Sequence, residues 1–332
     1  MEPRHRRRTL LAAAVATGLL VPLAPAAAAA APACGMVALP APAGAFSDVT
    51  GGDLTGRYLV GRLNYPDRRV GALWHDGRLT EIDASSIQHV QIDYHDVNRR
   101  GVVVGERTID NTSFHSDAFT YRDGTFTFLP AARPGDSTQA VGINSRGDVV
   151  GNSIGDTGGG WVPVVWPADQ PGTVRILPVP AGNTNGALAR GIDEDGSVVG
   201  VVSPYPPGTP YVWPAKGKPH ALPVPAGSQG GDATAIQGGV AAGNVYDPAT
   251  SSTVPTLWNL RTGGFTMHTH VQAGALSVNR RGTIGGGAVI VHADGRVSPL
   301  DSGSLVYTVA DTGVAAGTTD LFRGQAVRWF GC

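Results

Sequence analysis

Four short stretches of this chain carry residue types that do chemistry elsewhere. Asp193-Glu194-Asp195-Gly196 has the Asp-x-Asp-Gly look of a calcium loop. Calcium takes about six to eight oxygen ligands at fixed offsets. The equivalent stretches read Asn98-Arg99-Arg100-Gly101 and Asn144-Ser145-Arg146-Gly147, so a plain polar turn accounts for all three. His268-Thr269-His270 puts two imidazoles on one side of a strand, as zinc would need, but no third ligand accompanies them and an exposed strand end explains the pair. Gly151-Asn152-Ser153-Ile154-Gly155 has the spelling of a nucleophile elbow, which requires a strand-to-helix turn. Here it lies on a strand running into a loop. His95 and Asp96 open a repeat near the centre of the architecture derived below, where a buried or solvated turn role suffices. Asn111-Thr112-Ser113 spells a glycosylation sequon, from which nothing is drawn because the leader looks bacterial. No catalytic residue, metal site or cofactor follows from these stretches.

Six aromatics suit binding better than catalysis. Tyr65, Phe114, Trp161, Tyr205, Tyr246 and Phe322 fall at equivalent places in successive copies of a repeat. Exposed in a ring, they could stack on sugars or clamp a peptide, because an aromatic supplies contact area and Tyr and Trp add a polar handle. The competing reading is that they cap the seams between repeats.

The repeat that positions them is clearest at 190–227. A polar turn (Asp193–Gly196) leads into the apolar run Val198–Val202, a Pro-rich loop (Pro204–Pro210), then Tyr211-Val212-Trp213, a turn at Lys216-Gly217-Lys218, and Ala221-Leu222-Pro223-Val224. Four short runs separated by turn residues predict a four-stranded antiparallel meander, here lettered A to D. A run apolar at every position, such as Val198–Val202, predicts burial on both faces. The unit recurs seven times. Strand B carries a glycine at Gly61, Gly105, Gly151, Gly200, Gly243, Gly286 and Gly317. Strand C ends on Trp74, Tyr121, Trp166, Trp213, Trp258 and Trp329, with Val291 in the sixth copy. Leu-Pro marks strand D at Leu129-Pro130, Leu177-Pro178 and Leu222-Pro223. Asn or Asp opens the A–B turn by bonding the backbone two residues on, and Gly closes it. Four-stranded units at this spacing are the signature of a propeller. The expected fold is all-β, a seven-bladed β-propeller with blades near 46–83, 92–130, 138–180, 186–225, 231–270, 273–301 and 304–332. The sixth copy lacks its B–C loop, which leaves six blades as an alternative.

The seventh copy stops after strand C, at Trp329-Phe330-Gly331-Cys332, whereas Leu39-Pro40-Ala41-Pro42-Ala43-Gly44 reads like the strand D ending Leu222-Pro223-Val224-Pro225-Ala226-Gly227. Residues 35–40 are therefore expected to pair with 325–330 and close the ring, hiding edge strands that would otherwise template aggregation. The two cysteines, Cys34 and Cys332, would then face each other and form a disulfide in an oxidising compartment. The rival reading makes Cys34 a lipid attachment site, although Ala31-Pro32-Ala33 lacks the large apolar residue three before the cysteine that such sites use.

Residues 1–33 read as a signal peptide, with Arg4, Arg6, Arg7 and Arg8 at its start, an apolar core from Leu10 to Leu23, and small residues from Ala26 to Ala33. The core is too short for a membrane span. Arg7-Arg8 permits a twin-arginine reading, but Arg6 stands where that motif has Ser or Thr, so the general secretory route is preferred. Without the leader, 21 Lys and Arg stand against 25 Asp and Glu, a net charge of −4. That gives no support for nucleic-acid or anionic-membrane binding. The low charged fraction, 15%, is offset by 42% apolar residues in regular short runs, which argues for one folded domain over 34–332.

The pattern resembles the HAF-type extracellular repeat proteins. The second copy shows it in Asp96-Val97-Asn98-Arg99-Arg100-Gly101-Val102-Val103-Val104-Gly105 and Ser116-Asp117-Ala118-Phe119-Thr120-Tyr121, and the third in Ala140-Val141-Gly142-Ile143-Asn144-Ser145-Arg146-Gly147. The His of the family's His-Ala-Phe is Asp117 here. The resemblance covers about 46–332 and implies secretion and a propeller, with no activity or site residue to carry over. The expected function is a secreted, non-catalytic, monomeric binding scaffold for a carbohydrate, peptide or cell-surface partner, using the face made by the B–C loops and D–A connections. The alternatives are a glycan hydrolase or lyase with its site over the central channel, which convergent carboxylates there would favour, and a structural wall protein.

Overall fold

A computed structural model describes residues 34–110, 115–155, 160–204, 208–320 and 322–332. All regular structure among them is β-strand, in seven four-stranded antiparallel sheets. Blades 1 to 6 span 46–82, 91–128, 137–176, 187–221, 231–267 and 275–299, each ordered A-B-C-D. Blade 7 takes strands A to C from 305–330 and strand D from Gly35–Ala38. There Gly35 pairs with Phe330 and Ala38 with Val327, and the Leu39 amide donates to the Ala326 carbonyl. Blade 6 keeps all four strands; its B–C connection is only Gly287-Ala288. No helix among the described residues is long and apolar enough to cross a membrane.

The core lies in the seams. Seven apolar clusters each join two neighbouring blades, including one across the closure, where Leu39, Ala316 and Ala326 of blade 7 meet Val49, Leu59, Leu63 and Trp74 of blade 1. This explains the runs without alternation. Val198 and Val202 pack toward blade 3 while Val199 packs toward blade 5, so every position in Val198–Val202 is buried. Each such side chain contributes about 1.5–3 kcal/mol by leaving water.

Two polar devices tie blade to blade. The strand-C tryptophans donate their indole N–H to the preceding blade's Leu-Pro carbonyl: Trp166 to Pro130, Trp213 to Pro178 and Trp258 to Pro223, at 2.7–2.8 Å. Trp74 does the same to Pro40 at 2.8 Å. The A–B turns form the second. Asn98 accepts from the Arg100 amide, as its turn requires, and donates to the Asn144 carbonyl of the next blade at 3.0 Å. Asn144 donates to the Asp193 carbonyl, and the Asp193 carboxylate accepts from the Gly238 and Gly239 amides of blade 5. The Asp193–Gly196 stretch is thus a turn whose acid caps its neighbour. Among the described residues no group of three or more His, Cys, Asp or Glu is placed to hold a metal ion.

Cys34 and Cys332 form a disulfide, with Cα atoms 4.7 Å apart.

Candidate functional site

Strand A lines the central channel, and in every blade it carries a β-bulge opposite the strand-B glycine. The register shifts immediately after the pairs Val49–Gly61, Tyr94–Gly105, Ala140–Gly151, Ala189–Gly200, Ala233–Gly243, Ala275–Gly286 and Val306–Gly317. The glycines follow from this geometry. A Cβ on any of them would sit 1.8–2.1 Å from a strand-A carbonyl, that of Asp48, Asp93, Gln139, Leu188, Asp232, Gly274 or Leu305. No side chain fits there.

A bulge inserts one residue that the ladder does not pair. The seven inserted residues are Thr50, His95, Val141, Arg190, Thr234, Leu276 and Tyr307, and all seven line one cavity of about 250 Å³ on the channel axis. The repeat conserves the bulge and leaves its occupant free to differ. Sequence reasoning named His95 but placed it at a turn; it stands mid-strand at the bulge. The other six were missed. Their signal is spacing: the inserted residue lies ten before the strand-B glycine in five copies, eleven before in the first and nine before in the fifth.

Two bulge residues are pinned by the next blade. Thr50 donates to the Tyr94 carbonyl at 2.6 Å and Thr234 to the Ala275 carbonyl at 2.9 Å. A charged cluster backs the channel wall in blades 1 and 2. Arg62 bridges Asp48 at 3.0 Å and Asp93 at 3.2 Å, and His95 Nε2 is 2.6 Å from Glu106. Burial pulls the His95 pKa down, but the Glu106 hydrogen bond and charge, with Asp93, outweigh it and leave it raised. Asp96 is pushed up to about 7, chiefly by burial, although its oxygens accept from the Ile143 and Val97 amides. Asp96 was expected in a turn role and stands on strand A instead, while Asp48 and Asp93 were not singled out by the sequence. Arg190 differs from all of them: among the described residues its guanidinium has no hydrogen-bond or ion-pair partner, and it is exposed in the channel.

Arg190 also borders a groove of about 870 Å³ on the face of the B–C loops and D–A connections. The groove crosses blades 4, 5 and 6 and is lined by Gln229, Asp232, Asn244, Tyr246, Ser252, Thr253 and Gln272. Asn244 holds Asp232 Oδ1 at 3.2 Å and clasps both the N–H and the carbonyl of Ala275 in blade 6, so the floor is fixed. A hollow of about 970 Å³ on the opposite face, beneath the long C–D turn of blade 3, has no aromatic lining.

Of the six aromatics, Tyr246 lines the groove. Tyr65 leans on the core of the closure seam, donates to Glu81 at 2.6 Å and lies under the Arg68 guanidinium. Trp161 begins strand C of blade 3 beside Gly186. Phe322 is 85% exposed. Phe114 and Tyr205, like the Asn111 sequon, lie outside the described residues. The four described rings make no contact with one another. His268 is a correction: it lies one residue beyond strand D and is buried, its ring 6.1 Å from His270. The elbow spelling at Gly151–Gly155 is the end of strand B of blade 3, which stops at Ile154; Asn152 clasps Ala189 of blade 4, and Ser153 donates to Asp136.

No protein-family model and no curated protein matches the sequence. Solved structures do match. Streptogramin B lyase is 12% identical, with a TM-score of 0.54 over 89% of this chain and 96% of that one. The β-propeller domain of the Trilobed protease from Pyrococcus furiosus, which has an open velcro topology, is 10% identical with a TM-score of 0.57 over 86% and 96%. At such identities the likeness shows the propeller fold alone.

Proposed function

We propose that this chain is a secreted HAF-type repeat propeller that binds a carbohydrate in the groove across blades 4, 5 and 6. One observation carries the reading: the groove combines Tyr246 with amides and hydroxyls on a fixed floor. A sugar presents hydroxyls to donors and acceptors and C–H faces to an aromatic ring, and this lining meets both needs. Secretion is supported by the basic-then-apolar leader at 1–33 and by a disulfide suited to an oxidising compartment. The test is binding of a glycan panel to wild type and to Tyr246→Ala. A retained glycan whose affinity falls at least tenfold in the variant is expected. No retained glycan, or no effect of the substitution, would sink the reading.

A second reading, a glycan-cleaving enzyme, is favoured by His95, a candidate base fixed by Glu106 on the channel wall. Its natural acid partner, Asp96, has both oxygens engaged by amides, which is why binding is preferred. Release of reducing ends or unsaturated products by wild type, abolished in His95→Ala, would reverse that preference.

A further inference from the structure

Groove and channel meet at a single residue of the bulge ring, Arg190. Of the other arginines of the channel wall and mouth, Arg99 is exposed at the A–B turn of blade 2, on the end away from the groove, and two are paired. Arg62 is clamped between Asp48 and Asp93, and Arg280 lies 3.4 Å from Asp311. Among the described residues Arg190 has neither a carboxylate nor a carbonyl partner, and it alone of these arginines borders the groove. Its planar fork of donors matches a carboxylate, which it grips through two parallel bonds where a lysine offers a point charge.

The surroundings narrow the ligand. Next to Arg190 in the ring stands Thr234, whose hydroxyl hydrogen is committed to Ala275 but whose oxygen still accepts. Tyr307 adds a phenol and Leu276 an apolar patch. The cavity, at about 250 Å³, lies just below the usual span of ligand sites and has room for one sugar ring rather than a chain. The groove's one carboxylate, Asp232, has Oδ1 occupied by Asn244 and leaves Oδ2 to accept from a sugar hydroxyl.

We infer that the ligand ends in a hexuronic acid, whose carboxylate is bound by Arg190 where the groove opens into the channel while the preceding sugars lie along Tyr246. This rests on the carbohydrate reading above and adds the charge and the polarity of the chain.

The experiment is calorimetric titration of the full chain with galacturonate and glucuronate trimers and with their methyl esters. The esters keep every sugar and remove every carboxylate charge. The variants are Arg190→Gln, Arg190→Lys and Tyr246→Ala, each first shown to melt cooperatively like wild type. One free-acid trimer is expected to bind wild type at least tenfold more tightly than its ester. Arg190→Gln should lower the acid to the level of the ester, and Arg190→Lys should fall between. Equal binding of acid and ester, or an unchanged acid affinity in Arg190→Gln, overturns the inference. If Tyr246→Ala still weakens both ligands, the groove reading survives that failure. Failure of both acids and both esters to bind wild type also overturns it, and retention of a neutral glycan from the panel would then decide the groove reading separately. Arg190-dependent binding of a peptide with a free C-terminus, but of no uronide, overturns the inference in favour of a peptide ligand.

Discussion

The indole N–H of Trp74 lies 2.8 Å from the carbonyl of Pro40, joining the first complete blade to a strand that belongs to the last. The same bond recurs at Trp166, Trp213 and Trp258, so the aromatic of strand C and the Leu-Pro of strand D are two halves of one latch. Proline suits its half because it supplies a carbonyl and, lacking an N–H, stops the ladder there. Trp74→Phe keeps an aromatic and deletes the donor. It should cost about 1–2 kcal/mol, read as a lower urea midpoint at constant slope. Trp213→Phe should cost about the same. No loss at either position would mean that the rings act by packing alone.

The strand-B glycines answer to a stricter demand than turn glycines do. Gly200→Ala drives a methyl to 1.9 Å from the Leu188 carbonyl, and no rotamer relieves a backbone clash. A loss above about 3 kcal/mol, or failure to accumulate folded, is expected. Gly77→Ala is the comparison. Its φ of +79° strains alanine, but nothing lies within 4 Å of the new methyl, so the cost stays near 1–2 kcal/mol. Thermal melts of both variants should rank them clearly.

Joining Cys34 to Cys332 closes a loop across a sequence separation of 298 residues. The chain-entropy model puts the stabilisation at about 4–5 kcal/mol, an upper value. The double variant Cys34→Ser with Cys332→Ser should still close through the Gly35–Ala38 pairing but melt earlier. Intact mass of the wild type should fall two hydrogens below that of the reduced protein. A reductant-insensitive mass and melt would show that the bridge does not form.

Asp96 makes stability depend on pH in an unusual direction for an acid. Its folded pKa of about 7 lies above the ordinary carboxyl value, so the folded state holds this proton more tightly than the unfolded chain does. Its contribution is full below about pH 4 and is lost as pH rises through 7. Asp96→Asn removes the titration but replaces one of the two acceptor oxygens by an NH2 that faces an amide donor. It should therefore cost stability at pH 4.5, and the gap to wild type should narrow by on the order of 1–2 kcal/mol at pH 8. An equal difference at both pH values would exclude a raised Asp96.

What the sequence revealed and what it hid divide along a physical line. Gly200, Trp213 and Pro178 meet demands that one residue type satisfies, so they recur and declare the blade. The Val198–Val202 run shows burial on both faces through its lack of alternation. Arg190 is invisible by the same logic. A bulge residue pairs with nothing in the ladder, so no rule of type or period selects it, and only the clash behind Gly200 gives it away. His268 misled for a related reason: its burial comes from the fold beyond the strand end, where periodicity says nothing. Tyr246 was singled out by its place in the repeat, but its groove depends on three blades meeting.

The pairing of Gly35–Ala38 with Ala326–Phe330 also sets an order in time. Blades 1 to 6 are each assembled from consecutive residues and can form as the chain lengthens. Blade 7 cannot, because its outer strand comes first and its other three come last. Until they meet, both ends of the incomplete ring present unpaired backbone. Among the described residues this closure joins the strands of greatest sequence separation, and such contacts form slowly. Ring closure should therefore be the late step of refolding. Amides of 326–330 should gain protection after those of blades 2 to 5, and a chain cut before Ala326 would be left with two open edges.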